Sequence, residues 1–253
     1  MPKLRVAVLF LAVATTAHGN WTILSADSEP GVAGIVHQHV ILENAAINDR
    51  AVVDLAIFST KSCTLRVIQN EDGASNLAEV MTRGKCLAGV NGGYFSPALA
   101  PIGLLITDGK VVAPLQRARL ITGVLSASTH GVQIARVREF SQQRKVNAAV
   151  QCGPFLVDLG RPIRGLEETR SARRTFAAIG ALDRVALGVC SEITLTELAK
   201  ILATTQIADR FKISRALNLD GGSSSAFYFK GERGSFLYPE EKTVRDFIGI
   251  VSK

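Results

Sequence analysis

The sequence predicts an α+β or mixed α/β fold, a strand-rich single domain with a few packed helices. Short branched, apolar runs recur between turn residues, whereas only two stretches carry the three-and-four spacing of a helix. No Pro/Gly/Ser-rich linker or low-complexity tract divides residues 20–253, a length that suits one large domain.

The chain opens with Lys3 and Arg5 before an apolar run over residues 6–14, followed by the small residues Ala17 and Gly19. That order is the order of a signal peptide, and the run is shorter than the roughly 20 residues a spanning helix needs. The expected boundary is residues 1–19, with cleavage after Gly19 or after Ala17, and a domain over 20–253. No later run is long enough to span a membrane, so the mature chain is expected to be periplasmic or secreted.

Residues 51–58 and 63–68 read as strands, with a turn at Asn70-Glu71-Asp72-Gly73. Leu77, Val80 and Met81 then predict a short helix over 76–83, and residues 87–90 lead into Asn91-Gly92-Gly93. Residues 104–107 and 110–112 flank Asp108-Gly109, the signature of a type I′ hairpin. Gly103, Gly109 and Lys110 do not make a phosphate loop, because the spacing is one residue too long and Val111 stands where Ser or Thr is required. Further strands are predicted at 124–126, 132–135, 155–157, 176–179 and 185–189. A second helix begins near Thr194, with Glu197 at capping-box spacing and Leu198, Ile201 and Leu202 as its apolar stripe. Residues 216–219 deliver Asp220 to a strand end, and 227–229 and 247–251 complete the sheets.

The formal net charge is +7, with the basic residues scattered and no aromatic residues interleaved among them. A specific nucleic-acid platform is therefore not expected. Cys63, Cys86, Cys152 and Cys190 form no CxxC motif, which removes the thioredoxin and zinc-knuckle readings. An even count in an exported chain allows two disulfides, and the sequence-local pairs Cys63–Cys86 and Cys152–Cys190 are expected.

The chemistry-bearing stretch is Asn218-Leu219-Asp220-Gly221-Gly222-Ser223-Ser224-Ser225. Glycines permit positive φ and close backbone approach to a ligand, so Asp220 could be exposed beside a substrate; an Asx-turn is the structural alternative. Ser223 and Ser224 could donate to sugar or phosphate oxygens or cap the turn, and no GxSxG elbow surrounds them. Arg174 and Thr175 lie in a basic run entering a strand, suited to gripping phosphate or to facing solvent. Glu192 follows a strand and is a candidate second carboxylate, since glycosidic hydrolysis often uses two. Gly153-Pro154-Phe155 reads as a turn that shapes a pocket. His37 and His39 share one strand face, but no third ligand has recognisable spacing, so no metal site is predicted. His130 sits in a polar turn without a visible partner. No cofactor is compelled, and a divalent cation is compatible with the residues.

Taken in order, NGGYF at 91–95, PIGLLITDGK at 101–110, CGPFLV at 152–157, RRTFAAIG at 173–180 and NLDGGSSS at 218–225 resemble the phosphodiester glycosidase family. The resemblance extends over about residues 35–252. It implies cleavage between a sugar's anomeric carbon and a phosphodiester oxygen, on a sugar phosphodiester or envelope glycan such as exopolysaccharide. It carries the family's motif positions to Asn91, Arg174, Thr175, Asp220, Gly221 and Gly222, followed by Ser223 and Ser224; with Gly92 and Asn218 beside them these are the expected substrate-binding residues, and Asp220 and Glu192 are the expected catalytic carboxylates. Where many relatives place Asn in a final Val-x-Asn motif, this chain has Val244-Arg245-Asp246.

Overall fold

A computed structural model describes residues 21–141, 145–208 and 211–253. The expected leader therefore lies outside the described residues. The strands in chain order are β1 (Thr22–Pro30), β2 (Val36–Asn44), β3 (Asp49–Ser59), β4 (Cys63–Gln69), β5 (Ala88–Asn91), β6 (Leu105–Thr107), β7 (Lys110–Ala113), β8 (Gly123–Ser128) and β9 (Gly131–Arg136). They continue as β10 (Ala148–Cys152), β11 (Phe155–Asp158), β12 (Arg161–Pro162), β13 (Ala172–Gly180), β14 (Arg184–Ile193), β15 (Ile213–Asn218), β16 (Phe227–Lys230), β17 (Ser235–Tyr238) and β18 (Asp246–Ser252). The two α-helices are α1 (Leu77–Arg83) and α2 (Leu195–Thr204). The strand-rich expectation holds, and the balance is tilted further toward β than a mixed α/β fold implies.

Three sheets form: β1-β2-β3-β14-β13-β15-β11-β12, β7-β6-β10-β8-β9, and β17-β16-β5-β18-β4. Alternation along each strand sends every second side chain inward. The inward sets meet in one core: Phe58, Leu187 and Leu217 from the first sheet, Leu125 and Val150 from the second, and Phe227, Phe229 and Ile248 from the third. Each sheet's other face has its own apolar cover. Helix α2 lays Leu198, Ile201 and Leu202 on the first sheet, and α1 lays Leu77, Val80 and Met81 on the third. A smaller cluster of Leu104, Ile106, Val124 and Ala149 backs the second.

This layering corrects the expected disulfides. All four cysteines are buried free thiols. Cys63 joins the central core whereas Cys86 packs under α1, on the other face of the third sheet. Cys152 likewise belongs to the central core and Cys190 to the α2 side of the first sheet. A sheet stands between the partners of each expected pair, and disulfide geometry requires their Cα atoms within about 7 Å and their Cβ vectors converging. Burial raises the Cys86 thiol to about 11 and the Cys190 thiol to about 12, so both stay protonated.

Candidate functional site

The site forms where the first and third sheets come together at the ends of β5, β13 and β15. Asn91 ends β5 and is fully buried. Its amide donates to the Asp220 carbonyl at 2.7 Å, while its oxygen accepts from the Thr175 hydroxyl at 2.7 Å and from the Ala226 backbone N–H at 3.1 Å. The Thr175 hydroxyl also lies 3.1 Å from the Ser225 hydroxyl. Asn91 and Thr175 thus spend their polar groups bracing the Asp220 loop. In the structure they act as struts beneath the loop.

Gly92 carries the next link. Its N–H donates to the Asp246 carbonyl at 2.8 Å, and its carbonyl accepts from the Asp220 N–H at 3.2 Å. Glycine is required here because a Cβ would fall 1.8 Å from Asp246 Oδ1. The same Oδ1 accepts the Gly93 N–H at 3.1 Å. Burial pushes the Asp246 carboxyl up to about 6, with nearby Asp220 adding to the rise and Gly93 and Arg245 opposing it.

Asp220 is half-buried, and its carboxyl is also raised, chiefly by burial. Bonds from the Ser224 hydroxyl and the Gly221 N–H, the latter 2.9 Å from Oδ1, act the other way. The carboxylate is thus held by local loop groups, as the structural alternative anticipated, while Asp220 stays partly open to solvent. Gly222 turns the chain in the left-handed region at φ +64, which a side-chain-bearing residue adopts only with strain. Ser223 is half-exposed and Ser224 buried.

Asn218 is buried and reaches sideways, donating to the Tyr94 hydroxyl and the Gly153 carbonyl, each at 3.0 Å, and to the Leu219 carbonyl at 2.7 Å. Tyr94 in turn donates to the Gly153 carbonyl at 2.7 Å. Burial, helped by Asp220, raises the phenol far above its ordinary range, so Tyr94 is a neutral donor. Sequence reasoning gave Tyr94 no role, although the tyrosine stood within the first glycine motif.

The two adjacent arginines take different positions. Arg174 is buried; Nε donates to the Ile193 carbonyl at 2.9 Å and Nη2 to the Arg170 carbonyl, with Glu167 3.8 Å away. Burial lowers its pKa, and the charge persists because guanidinium is so strong a base. Its Nη1 has no protein partner among the described residues. Arg173 reaches the glycine loop itself: Nε donates to the Gly222 carbonyl at 3.1 Å, and the guanidinium lies 5.2 Å from the Tyr238 ring centre. Glu241 pairs with it at 3.2 Å, yet Nη2 is buried without a partner. Gly221 packs over this dipeptide, 2.9 Å from the Arg173 carbonyl at its would-be Cβ.

Glu192 is exposed near the end of β14 and makes no hydrogen bond or ion pair among the described residues. It does not belong to the network around Asp220, whose nearer second carboxylate is Asp246. His37 and His39 do share a face, and both approach one oxygen of Asp54 at 2.8 Å. Among the described residues no three His, Cys, Asp or Glu side chains are placed to hold a metal ion.

The fold agrees with solved structures of low identity. A hypothetical protein from Synechocystis superposes with a TM-score of 0.62 at 14% identity; the match covers 90% of this chain but only 64% of that one. The zebrafish N-acetylglucosamine-1-phosphodiester alpha-N-acetylglucosaminidase catalytic domain, auto-inhibited by its pro-peptide, gives 0.62 at 15% identity, covering 95% and 85%. A putative exported protein from Burkholderia pseudomallei gives 0.56 at 13%, covering 80% and 74%. No curated protein matches the chain. The phosphodiester glycosidase family model matches residues 84–251, a span running from before the Asn91 strut to beyond Asp246 and including both arginines and the Asp220 loop. The chain that builds this network belongs to the phosphodiester glycosidase family.

Proposed function

We propose that this chain is an exported hydrolase that cleaves the glycosidic bond of a sugar-1-phosphodiester, releasing the sugar and a phosphomonoester. The observation that carries the reading is the half-buried Asp220 carboxylate on a glycine loop, packed over two adjacent arginines that each retain an unused amino group. A phosphodiester offers anionic oxygens to match such donors. Arg173 and Arg174 bind it and offset the charge that grows on the departing phosphomonoester. Asp220 stabilises the positive charge that develops at the anomeric carbon or activates the attacking water. A phosphate leaving group needs little protonation, so Glu192 is not required as a general acid. Ser223, half-exposed on the loop, would donate to a sugar or phosphate oxygen, while Tyr94 spends its proton on the Gly153 carbonyl and holds Asn218.

Export is supported by the charged and apolar order of residues 1–19 and by the description of the Burkholderia relative. A single domain over residues 20–253 is supported by the core that all three sheets share. No helix among the described residues is long and apolar enough to cross a membrane.

The test is incubation with an N-acetylglucosamine-1-phosphodiester beside Asp220→Asn. Free sugar with an intact phosphomonoester is expected, with the variant slower by at least about a hundredfold. Sugar phosphate plus alcohol would mean P–O cleavage, and binding without turnover would mean a glycan-binding protein. Full activity of Asp220→Asn would remove that residue from the mechanism.

A further inference from the structure

A cavity of about 450 Å³ lies away from Asp220, between β1 and β2 on one side and the β16–β17 hairpin on the other. Asp27, Ser28, Glu29, His37, His39, Arg233 and Phe236 line it. Its floor is built rather than incidental. His37 and Asp54 are buried, and His37 is stacked among Phe227, Phe229 and Phe236 with centroids 5.3, 5.1 and 4.7 Å away. Asp54 Oδ1 holds His37 Nε2 and His39 Nδ1, each at 2.8 Å, which fixes both rings. At the rim, Asp27, Glu29 and Arg233 have no ion pair or side-chain hydrogen bond among the described residues. Gly231 lets Glu29 in, since a Cβ there would stand 2.1 Å from Glu29 Oε1.

The cavity is connected to the site by one strand. β17 is the edge strand of its sheet, and Phe236 and Tyr238 lie on the same face of it. Phe236 borders the cavity, and Tyr238 carries the Arg173 guanidinium, which bonds to Gly222. The two residues stand about 7 Å apart along the strand, so the cavity wall and the support of the Arg173 guanidinium are neighbours on one strand.

We propose that this cavity is a second glycan subsite, which holds a sugar residue of an oligosaccharide whose phosphodiester end occupies the Asp220 loop. The proposal rests on the glycosidase reading for the kind of ligand. Unpaired carboxylates, a guanidinium and fixed imidazoles accept and donate hydrogen bonds in alternation, as sugar hydroxyls require, while Phe236 offers an apolar face to the ring carbons. A purely cationic ligand would leave Arg233 opposed, and a purely anionic one would meet Asp27 and Glu29. The physiological substrate is then an oligosaccharide or polymer rather than a monosaccharide ester.

The experiment titrates the Asp220→Asn protein, which removes turnover, with chitotetraose and with N-acetylglucosamine, by calorimetry and by amide shift mapping. Chitotetraose should bind at least tenfold more tightly and shift amides of β1, β2 and β17. In Arg233→Ala with Asp27→Asn, two exposed positions away from the core, that advantage should fall to within about twofold. Equal affinity for the two sugars, shifts confined to the Asp220 loop, or an undiminished advantage in the double variant would overturn the proposal. The two readings fail separately. Hydrolysis of the monosaccharide phosphodiester without tetrasaccharide preference sinks the subsite alone; tetrasaccharide binding without hydrolysis of any phosphodiester sinks the enzyme alone.

Discussion

A proton on Asp246 stabilises this fold. The carboxyl has an ordinary value of 3.8 and sits near 6 in the folded chain because burial disfavours its charge. Between those values the folded protein holds a proton that the unfolded chain has released. Stability from this group is therefore complete below about pH 3.8 and is lost as pH rises toward 6, by about 3 kcal/mol in all. Asp246→Asn keeps an oxygen for the Gly93 N–H and carries no charge. Urea unfolding from pH 4 to 7 should show that slope in the parent and a flatter one in the variant; identical slopes would refute the assignment. Residue identities were legible in the sequence, but side-chain directions were not. Arg173 and Arg174 are neighbours in sequence, yet β13 shifts register between Ala172 and Arg174, and a bulge of that kind re-aims side chains. Arg173 consequently takes the position against Gly222.

Local elements were readable wherever local chemistry decided them. Asp108 and Gly109 adopt φ 47 and 77, the positive pair a type I′ turn demands. Helix α1 begins with Asn76, which accepts the Glu79 N–H while the Glu79 carboxylate accepts the Asn76 N–H. Asn76→Ala should cost about 1 kcal/mol of unfolding free energy by chemical denaturation. A loss below about 0.3 kcal/mol would mean that tertiary packing alone fixes this end. At α2 the sequence was half right. Thr194 accepts the Glu197 N–H, but the Glu197 carboxylate is claimed by Trp21 Nε1 and Lys200 rather than by the cap. Strand β10 gave no clear signal because all five of its residues are buried, facing two different clusters, and alternation vanishes when both faces are covered. Strand β1 was silent for the opposite reason, being exposed along most of its length.

At the scale of the molecule, the meeting of three sheets on one core was beyond the sequence, because the pairings that create it join distant segments. β3 lies against β14, with Ser59 opposite Arg184, and no local pattern encodes that partnership. The same arrangement keeps the four thiols buried and apart. Excess dithiothreitol should leave the melting temperature within about 1 °C, and a thiol reagent should find all four cysteines only after unfolding. A drop of 5 °C or more on reduction would show that bridges stabilise the protein after all.

The final strand has a further consequence. β18 lies in the interior of its sheet, bonded to β5 on one side and β4 on the other. A chain cut short before Asp246 therefore lacks the middle of a sheet, leaving two unpaired edges and an open core. Closure of that sheet waits on β18, the one strand that joins β5 to β4, so the segments on either side of it cannot complete their pairing before it arrives.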